Sequence, residues 1–428
     1  MAAAGGNPAY RSAGRSRGAA PRRQARLPAR PSIPDPPLGL AGSLRRFGDT
    51  GGGVRIGIIK SNFFPSGGGS ERYTHGLVTQ LQARHHAVHV LAARWDETAA
   101  AAGVTLQRVP ALRWPAFARV LSFALNSRRA LPTAGCDLIL SIERTLRQDI
   151  SRAGGGCHRE WLRQRQRYRP GGARALAGLN PLHRALLWIE KRTFSPANTR
   201  VIIANSHRGK EEIIRHYGFP AERIRVIHNG TDNARFRPPP APPARPQTVL
   251  LLAGSGFERK GLEFALRALA RLPQTVRLEV AGKGRTAPYQ RLAARLGVAD
   301  RLRFLGSANR MEDVYAGADI LVHPAIYEPF SNACLEAMAC GLPVVSSRVN
   351  GAAEIIRPGL NGSVVEDPAD SAALAAAITP FLDPAARARA GAAARQTAEA
   401  LPMSLNVEKT LAVIEELRAN PLPPASPP

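Results

Sequence analysis

The segment EPFSNACLEAMACGLPVV, residues 328–345, places two glutamates, Glu328 and Glu336, eight positions apart. It follows an apolar run, Ile320–Ala325, that predicts a buried strand, and it ends in a second apolar run, Leu342–Val345. The residues between the runs predict a short helix that a glycine ends. This order is typical of an open α/β sheet, which presents polar groups to ligands at the carboxyl ends of its strands.

The first half of the chain alternates predicted strands and helices in the same way. A helix with apolar spacing is predicted over residues 73–84. Short runs rich in β-branched residues predict strands at 54–60, 86–93, 136–142, 201–206 and 224–230. The alternation predicts βα units and a parallel sheet.

A stiff linker divides this half from the second, because residues 237–246 hold six prolines in ten positions. Beyond it an amphipathic helix is predicted over 262–272, and strands are predicted at 248–254, 276–282, 302–307, 318–324 and 342–347. We therefore predict an α/β protein with two Rossmann-like open-sheet domains, residues 54–236 and 247–400, facing each other across a deep cleft. Residues 401–428 are predicted to form a terminal helix, which packs back toward the first domain, and a proline-rich tail.

The net charge of +27 has two parts. Residues 1–53 hold nine Arg and two Asp, which contribute +7, and show no apolar periodicity, so we expect this transit-peptide-like segment to be disordered. The remaining +20 predicts a surface that attracts nucleic acid, acidic lipid or acidic saccharide. No apolar stretch of about 18 residues occurs, so no transmembrane helix is expected.

The four cysteines predict no metal site. They lack the CxxC spacing of zinc sites and are scattered along the chain, which favours reduced structural thiols in a cytosolic protein. They are Cys136, Cys157, Cys334 and Cys340.

Glycines and cations follow the first strand of each predicted domain. Gly67–Gly69 could bring backbone N–H groups close to an anion, although a flexible turn without a ligand explains them equally well. In GSGFERKG, residues 254–261, Arg259 and Lys260 stand at the entrance of a helix. Two cations there can neutralise a diphosphate without a metal, and the alternative is a solvated basic turn.

The signature segment itself offers groups that suit a nucleotide sugar. A carboxylate at Glu336 can accept hydrogen bonds from two ribose hydroxyls, and the alternative is a capping acid in the first turn of a helix. The start of the predicted helix provides N–H groups for phosphate or sugar oxygens, at Phe330, Ser331 and Asn332.

These motifs resemble those of a known enzyme family. EPFSNACLEAMACGLPVV resembles the Glu-x7-Glu signature of the retaining glycosyltransferases of family 4, which have the GT-B fold. GSGFERKGLEFALRAL resembles the donor-phosphate segment of that family, and SANRMEDVYAGADILVHPAIYEPF resembles its approach to the signature. The resemblance covers roughly residues 54–415, and GGGCHREWL, residues 154–162, is most similar to the lipopolysaccharide core glucosyltransferase I type.

The resemblance implies how the second domain holds the donor. Arg259 and Lys260 would hold the diphosphate, and Glu336 would bind the ribose. Glu328 would hold hydroxyls of the transferred sugar. The start of the following helix would contribute further donor contacts, at Phe330, Ser331 and Asn332.

From the first domain, the resemblance implies that Gly68 and Gly69 contact donor phosphate or acceptor, and that His158 lies near the reactive face of the sugar. The chain departs from some relatives here, because Gly154–Gly156 lacks an acidic residue. The catalytic residues implied are Glu328, Lys260, Arg259 and His158.

The implied function is transfer of a hexose, glucose, from a UDP-linked donor to a lipopolysaccharide core or other lipid-linked glycan. No metal or other cofactor is expected, because no DxD-type metal motif occurs near the cleft segments. The resemblance also implies that no dedicated base is required, since the leaving diphosphate can take the proton of the acceptor. An alternative within the family is a soluble acceptor such as a sugar phosphate. Alternatives of other classes are a basic nucleic-acid-binding protein, for which no recognised motif occurs, and an inactive scaffold.

Two arginine-rich segments predict a place at the inner face of the cytoplasmic membrane. Residues 113–131 frame apolar side chains with cations, as interfacial helices do, and residues 144–174 hold nine Arg. Docking to an anionic leaflet that carries a lipid-linked acceptor is one interpretation. A core helix and an ordinary basic face are the other.

Overall fold

The computed structural model describes residues 54–64, 69–96, 103–168, 180–240 and 245–419. The segment predicted to be disordered, 1–53, and the tail 420–428 lie outside the described residues. So do the first two glycines of the triple-glycine motif, which include Gly68.

The first domain is built on a seven-stranded sheet in which every neighbouring pair is parallel. The strand order is β5-β3-β1-β6-β7-β8-β9. Two further short strands, β2 (Asn62–Phe63) and β4 (Arg94–Trp95), follow β1 and β3 and pair with each other in a separate sheet. The strands of the main sheet are β1 (Arg55–Ile59), β3 (Ala87–Ala92), β5 (Thr105–Arg108), β6 (Leu138–Ser141), β7 (Gln148–Arg152), β8 (Thr199–Ala204) and β9 (Ile224–Val226).

Helices cover both faces of this sheet, so the strands near its centre bury most of their residues. Ile56 and Ile58 on β1 have no exposed surface, and they join Leu77 and Leu81 of the first helix in one core. The helices of the first domain are α1 (Gly69–Ala83), α2 (Ala116–Ala134), α3 (His158–Arg167), α4 (Pro181–Thr193) and α5 (His207–Tyr217).

The second domain repeats the plan with six parallel strands in the order β12-β11-β10-β13-β14-β15. Its core lies on two faces, one lined by Leu250 and Leu252 and the other by Leu251 and Val249. The strands are β10 (Thr248–Ala253), β11 (Val276–Ala281), β12 (Leu302–Gly306), β13 (Ile320–His323), β14 (Val344–Ser347) and β15 (Gly362–Val365).

The helices of the second domain connect these strands by crossovers on the two faces. The helix after the Glu-x7-Glu loop, α10, buries Cys334, Leu335 and Met338 and presents its first residues to the space between the domains. The helices are α6 (Phe257–Lys260), α7 (Leu262–Leu269), α8 (Ala287–Arg295), α9 (Met311–Ala316), α10 (Asn332–Ala339), α11 (Ser371–Ile378) and α12 (Pro384–Glu399).

The last helix, α13 (Met403–Ala419), packs on the first domain. Val407, Leu411 and Ile414 are buried in the same cluster as β1 and α1. The chain therefore crosses between the domains twice, once after β9 and once before α13.

The predicted fold class, two open α/β domains across a cleft, is confirmed. The strands β5, β7 and β15 were not predicted, because TLQR and QDISR carry polar side chains and GSVV opens with glycine. A prediction based on apolar runs alone assigns these segments to loops. In the part of the chain that the structure describes, no helix is both long and apolar enough to cross a bilayer.

Candidate active site

A cleft of about 1130 Å³ separates the two sheets, and both domains line it. From the second domain it receives Arg259, Lys260 and Glu328. The first domain contributes the end of β7 and the Gly154–Gly156 loop that follows it. Carboxyl ends of strands from both sheets thus meet at one site, the usual position for a ligand in open α/β folds.

Two cations converge on the carboxylate of Glu328. Lys260 donates a hydrogen bond of 2.6 Å from Nζ to Oε2 of Glu328, and Nη2 of Arg259 lies 3.4 Å from the same oxygen. Lys260 and Glu328 are buried, whereas the Arg259 side chain is 38% exposed at the cleft. Two positive charges share one negative charge, so the cluster carries a net positive charge toward the cleft.

The protonation state of Glu328 follows from these neighbours. Burial alone raises the pKa of a carboxyl, but the charges of Lys260 and Arg259 outweigh burial and lower the pKa of Glu328 to about 2. Glu328 is therefore ionised at every physiological pH, and it holds the two cations at fixed positions.

Two glycines allow the Lys260 side chain and its helix to approach the strand ends. Gly254 has a φ of 125°, and a Cβ at this position would lie 2.9 Å from Cε of Lys260. Gly261 has a φ of 75°, and its Cβ would lie 1.9 Å from the carbonyl oxygen of Pro324. A side chain at Gly254 would displace the Lys260 side chain, and one at Gly261 would push the end of α6 away from Pro324.

Glu336 lies one turn into α10 and is half-buried at the cleft. Its Oε2 accepts a 2.9 Å hydrogen bond from the hydroxyl of Tyr315, which stacks edge-on against Phe236. Burial and the charge of Glu336 raise the pKa of Tyr315 well above its ordinary value, so Tyr315 stays a hydrogen-bond donor. The carboxylate of Glu336 is thereby oriented.

The start of α10 is held by a buried polar network. The N–H of Ser331 donates to Oδ1 of Asn350 at 3.2 Å, and its hydroxyl lies 3.4 Å from Nε2 of His323. Burial and the charge of Lys260 lower the pKa of His323 to about 3, which keeps this imidazole neutral. The Ser331 N–H, expected to contact the donor, thus already has a partner inside the protein.

The other residues predicted at this helix start also line the cleft. Phe330 is buried with its ring 5.5 Å from that of His228. The side chain of Asn332 accepts a 2.6 Å hydrogen bond from Nδ2 of Asn229, which lies in the connection after β9. The start of α10 is thereby tied to the first domain.

The first-domain residues predicted for the site are placed differently. Gly69 is the first residue of α1, and Gly68 lies outside the described residues. His158 begins α3 and is not among the residues that line the cleft; its Nε2 lies 3.1 Å from Nδ1 of His183. Burial and the charge of Arg144 lower the pKa of His158 to about 4, so the imidazole is neutral.

Tyr327, the residue before Glu328, reaches across to the first domain. Its hydroxyl accepts a 2.7 Å hydrogen bond from the N–H of Cys157 and donates a 3.0 Å hydrogen bond to Oε2 of Glu212. A Cβ on Gly156 would lie 2.2 Å from this hydroxyl, so only glycine fits there. The Glu328 loop is therefore fixed from both domains.

The residues that the structure describes contain no group of three or more His, Cys, Asp or Glu side chains placed to hold a metal ion. The charged groups that face the cleft from the second domain are the cations of α6, the exposed Lys283 and the carboxylates of Glu328 and Glu336. An anionic ligand can be bound there by protein side chains.

Two family models match consecutive segments of the chain, one for each domain. The model described as Glycosyltransferase Family 4 matches residues 67–235, and the model described as Glycosyl transferases group 1 matches residues 236–397. The chain is a GT-B glycosyltransferase. The boundary between the matches lies directly before Phe236, which packs in the core of the second domain.

Relatives of this GT-B glycosyltransferase act on different acceptors. It is 26% identical to the lipopolysaccharide glucosyltransferase WaaG of Escherichia coli (strain K12) over 321 residues, which are 72% of this chain and 83% of WaaG. It is 36% identical to D-inositol 3-phosphate glycosyltransferase 2 of Catenulispora acidiphila over 201 residues, 41% of this chain but only 47% of that relative.

Solved structures show the same fold. A crystal structure of WaaG superposes with a TM-score of 0.72 at 24% identity, over 84% of this chain and 99% of WaaG. Anabaena HepE in complex with UDP-glucose superposes with a TM-score of 0.64 at 19% identity, over 85% of this chain and all of HepE. At these identities the superpositions establish the GT-B fold of the glycosyltransferase.

Several residues that shape the site of the glycosyltransferase were missed in the sequence. Tyr315, His323 and Asn350 contact the predicted residues through hydrogen bonds that join distant segments. Arg152 lines the cleft but stood among nine arginines that no pattern separates. Tyr327, directly before Glu328, could have been recognised in the sequence, because a buried tyrosine usually finds a hydrogen-bond partner for its hydroxyl.

Proposed function

We propose that this glycosyltransferase moves a hexose, glucose, from a UDP-linked donor to a lipopolysaccharide core or another lipid-linked glycan, with retention of configuration. The observation that carries the proposal is the cluster of Lys260, Arg259 and Glu328 beside Glu336 in one interdomain cleft. The likeness to WaaG supports the acceptor, and the UDP-glucose complex of HepE, which has the same fold, supports the donor.

In this proposal the second domain binds the nucleotide. Glu336, oriented by Tyr315, accepts hydrogen bonds from the ribose hydroxyls. Lys260 has three N–H groups, of which one donates to Glu328, so the others can face a diphosphate beside Arg259. Glu328 accepts hydrogen bonds from hydroxyls of the sugar while it keeps both cations in place.

The chemical step needs charge stabilisation more than a base. As the bond between the sugar and the diphosphate breaks, negative charge grows on the leaving oxygen beside Lys260 and Arg259. The acceptor hydroxyl attacks from the same face, and its proton passes to the leaving diphosphate, so the configuration is retained. A fixed donor to such a developing charge contributes about 3–4 kcal/mol. Preorganised cations can supply this without a metal, and we propose that the reaction is metal-independent.

A surface of the first domain fits a membrane. Helices α2 and α4 pack together, and they and the turn before α2 expose apolar side chains, with Trp114 84% exposed. We call this surface the tryptophan face. Its exposed apolar residues are Leu112, Trp114, Leu125 and Trp188, and the exposed arginines beside them are Arg113, Arg119, Arg128 and Arg129. An apolar surface framed by cations suits an anionic leaflet, the inner face of the cytoplasmic membrane.

The second arginine-rich segment, residues 144–174, gives less support to membrane binding. Arg163 and Arg144 pair with the buried carboxylates Glu160 and Glu190. Arg165 and Arg167 pair with acidic residues of the second domain, Glu258 and Asp367. These arginines hold the protein together, so the membrane proposal rests on the tryptophan face.

A soluble sugar phosphate is the second candidate acceptor. The match to the D-inositol 3-phosphate glycosyltransferase favours it, although that match spans about half of the relative. Comparing lipid-linked and soluble acceptors in one transfer assay distinguishes the two candidates.

The donor test is calorimetric titration of UDP, GDP and ADP into the wild type and Lys260→Ala. We expect UDP alone to bind, and Lys260→Ala to weaken the binding at least about tenfold. Absence of binding by all three nucleotides, or strong salt-dependent RNA binding without sugar transfer, would contradict the proposal. NMR of the product anomer tests retention, and full activity after chelation with EDTA tests metal independence.

The membrane test is co-sedimentation with vesicles at low salt. We expect stronger binding to anionic than to neutral vesicles, and a loss of that difference in a Trp114→Ser, Trp188→Ser double variant. Leu360→Ser is the matched control, because Leu360 is also an exposed large apolar residue but lies in the second domain. Equal binding to both vesicle types would exclude the tryptophan face as a membrane surface.

A further inference from the structure

Arg152 is the last residue of β7 and lines the cleft from the first domain. Its side chain is anchored at two points, because Nη2 donates a 2.9 Å hydrogen bond to Oδ1 of Asn229 and the guanidinium lies 3.7 Å from the ring centre of Tyr73. The residue is only 6% exposed. Within the described part of the chain, its Nη1 has no hydrogen-bond partner.

The other buried or half-buried cations of the cleft all have a carboxylate partner. Lys60 lies 3.2 Å from Glu143, and Arg144 lies 2.9 Å from Glu190. Arg235, near the domain boundary, pairs with Glu312 at 2.9 Å, and the second-domain cations Lys260 and Arg259 pair with Glu328. Among these residues of the described chain, Arg152 alone has an amide and an aromatic ring as partners and no carboxylate.

A buried guanidinium without a counter-charge is unfavourable, because the desolvation of the ion is not compensated by an ion pair. The contact with the face of Tyr73 offsets part of this cost. The remaining N–H group is fixed in position before any ligand arrives, so an incoming anion would gain a charge-assisted hydrogen bond without ordering the side chain.

We propose that Arg152 is the binding residue for an anionic group on the acceptor, a phosphate monoester or a carboxylate. The proposal rests on the proposed function, in which the first domain faces the acceptor. Arg152 ends a first-domain strand, whereas the diphosphate cations Arg259 and Lys260 end the short second-domain helix α6 on the other wall of the cleft. Donor and acceptor anions would thus be bound by different domains.

The space around Arg152 suits such a group. The Gly154–Gly156 loop follows Arg152 directly, and a Cβ on Gly154 would meet no atom within 4 Å. The backbone of Gly154 therefore borders open space in the cleft that Arg152 also lines.

A purely structural role is the rival explanation. Asn229, which accepts the hydrogen bond from Arg152, donates to Asn332 at the start of α10, so Arg152 could act only by orienting that helix. The rival predicts a loss of donor affinity, whereas our proposal predicts a loss of acceptor discrimination.

The direct test uses inorganic phosphate as the probe, titrated into Lys260→Ala so that the donor site contributes little. We expect Arg152→Gln in this background to bind phosphate at least about tenfold more weakly, since a charge-assisted hydrogen bond is lost. Arg147→Gln, which removes an exposed arginine five residues earlier, should bind like the Lys260→Ala parent. Absence of phosphate binding in the parent, or equal binding with and without Arg152, overturns the proposal. This test does not require sugar transfer, so it stays separate from the proposed function.

The second test compares matched acceptors that carry a phosphate monoester, a carboxylate or a hydroxyl at one position. We expect the wild type to have a kcat/KM at least about tenfold higher for one anionic acceptor than for the neutral acceptor. Arg152→Gln should bring this ratio close to one, and Arg152→Lys should restore part of it. The preferred anion identifies the source of the charge. An equal loss on all three acceptors, together with weaker nucleotide binding, would establish the structural role instead.

Discussion

The two domains use their buried carboxylates in opposite ways. In the first domain, the buried carboxylates Glu160, Glu190 and Glu212 receive hydrogen bonds from within the protein. In the second domain, two cations share the single carboxylate of Glu328 and face the cleft. The first-domain carboxylates have their partners inside the protein and stabilise the fold, whereas the second-domain cluster leaves positive charge available for a ligand.

This difference separates a structural ion pair from a binding one. Glu160 illustrates the first kind: burial opposes its ionisation, but hydrogen bonds from Arg163, Gln164 and His216 lower its pKa to about 2. Glu328 has the same low pKa for a different reason, since the charges of Lys260 and Arg259 act on it. A low pKa alone therefore does not identify a functional carboxylate. Surplus charge that faces the cleft does.

The largest effect should come from Lys260→Ala. Removal of a fixed cation beside the leaving group should lower kcat by about 10²–10³-fold, as loss of one transition-state donor does. The measurement is steady-state turnover with the donor that calorimetry identifies. Arg267→Ala on the next helix removes a half-exposed cation and should leave kcat unchanged. Near-normal turnover of Lys260→Ala would remove the second-domain cluster from the mechanism.

A smaller effect is expected for Glu336→Gln. The amide keeps the shape of the side chain but loses one acceptor and the charge, so the dissociation constant for the nucleotide should rise about tenfold. Calorimetry measures it, with the exposed Glu263→Gln as the control. Unchanged affinity for the nucleotide would mean that the Glu336 carboxylate binds only Tyr315.

The pH dependence of the free energy of unfolding should reveal the titration of Glu212 in the first domain. Burial and the charge of Glu160 raise the pKa of Glu212 to about 7 against the opposing charge of Arg208, compared with 4.5 when unperturbed. Between pH 4.5 and 7 the folded protein keeps a proton that the unfolded chain has lost, so the free energy of unfolding falls as pH rises through this window and is level above it.

Glu212→Gln should remove this slope, because glutamine mimics the protonated acid and can still accept from Tyr327. Urea denaturation at several pH values between 4 and 8 measures it. An identical slope in the variant would show that Glu212 does not titrate in this range.

The smallest effect is expected for Arg165→Gln. Arg165 forms two 3.1 Å hydrogen bonds to Glu258 across the domains, but the Glu258 side chain is 44% exposed. Exposed pairs contribute about 0–1 kcal/mol, so the free energy of unfolding should change by less than about 1 kcal/mol. A larger change in urea denaturation would show that surface pairs between the domains matter more than the buried contact of Tyr327.

The sequence predicted the second domain better than the first, for a physical reason. Two short segments at strand ends hold the predicted site residues Arg259, Lys260, Glu328 and Glu336. Their positions in the sequence therefore predict that they lie close together. In the first domain the outcome depends on which arginine has a carboxylate nearby, which only the folded chain determines. Arg152 differs from its neighbours by the absence of such a partner, and no pattern in one sequence records that.

The packing of α13 bears on the order in which the protein forms during synthesis. Val407, Leu411 and Ile414 complete the core that begins with β1, although more than 340 residues separate them from it. Chains emerge from the ribosome N-terminus first, and domains usually fold in that order. Here the second domain has its whole sequence available before the first has its last helix, so the domain that starts first is finished last. The emergence of α13 is thus the step that completes the core of the N-terminal half.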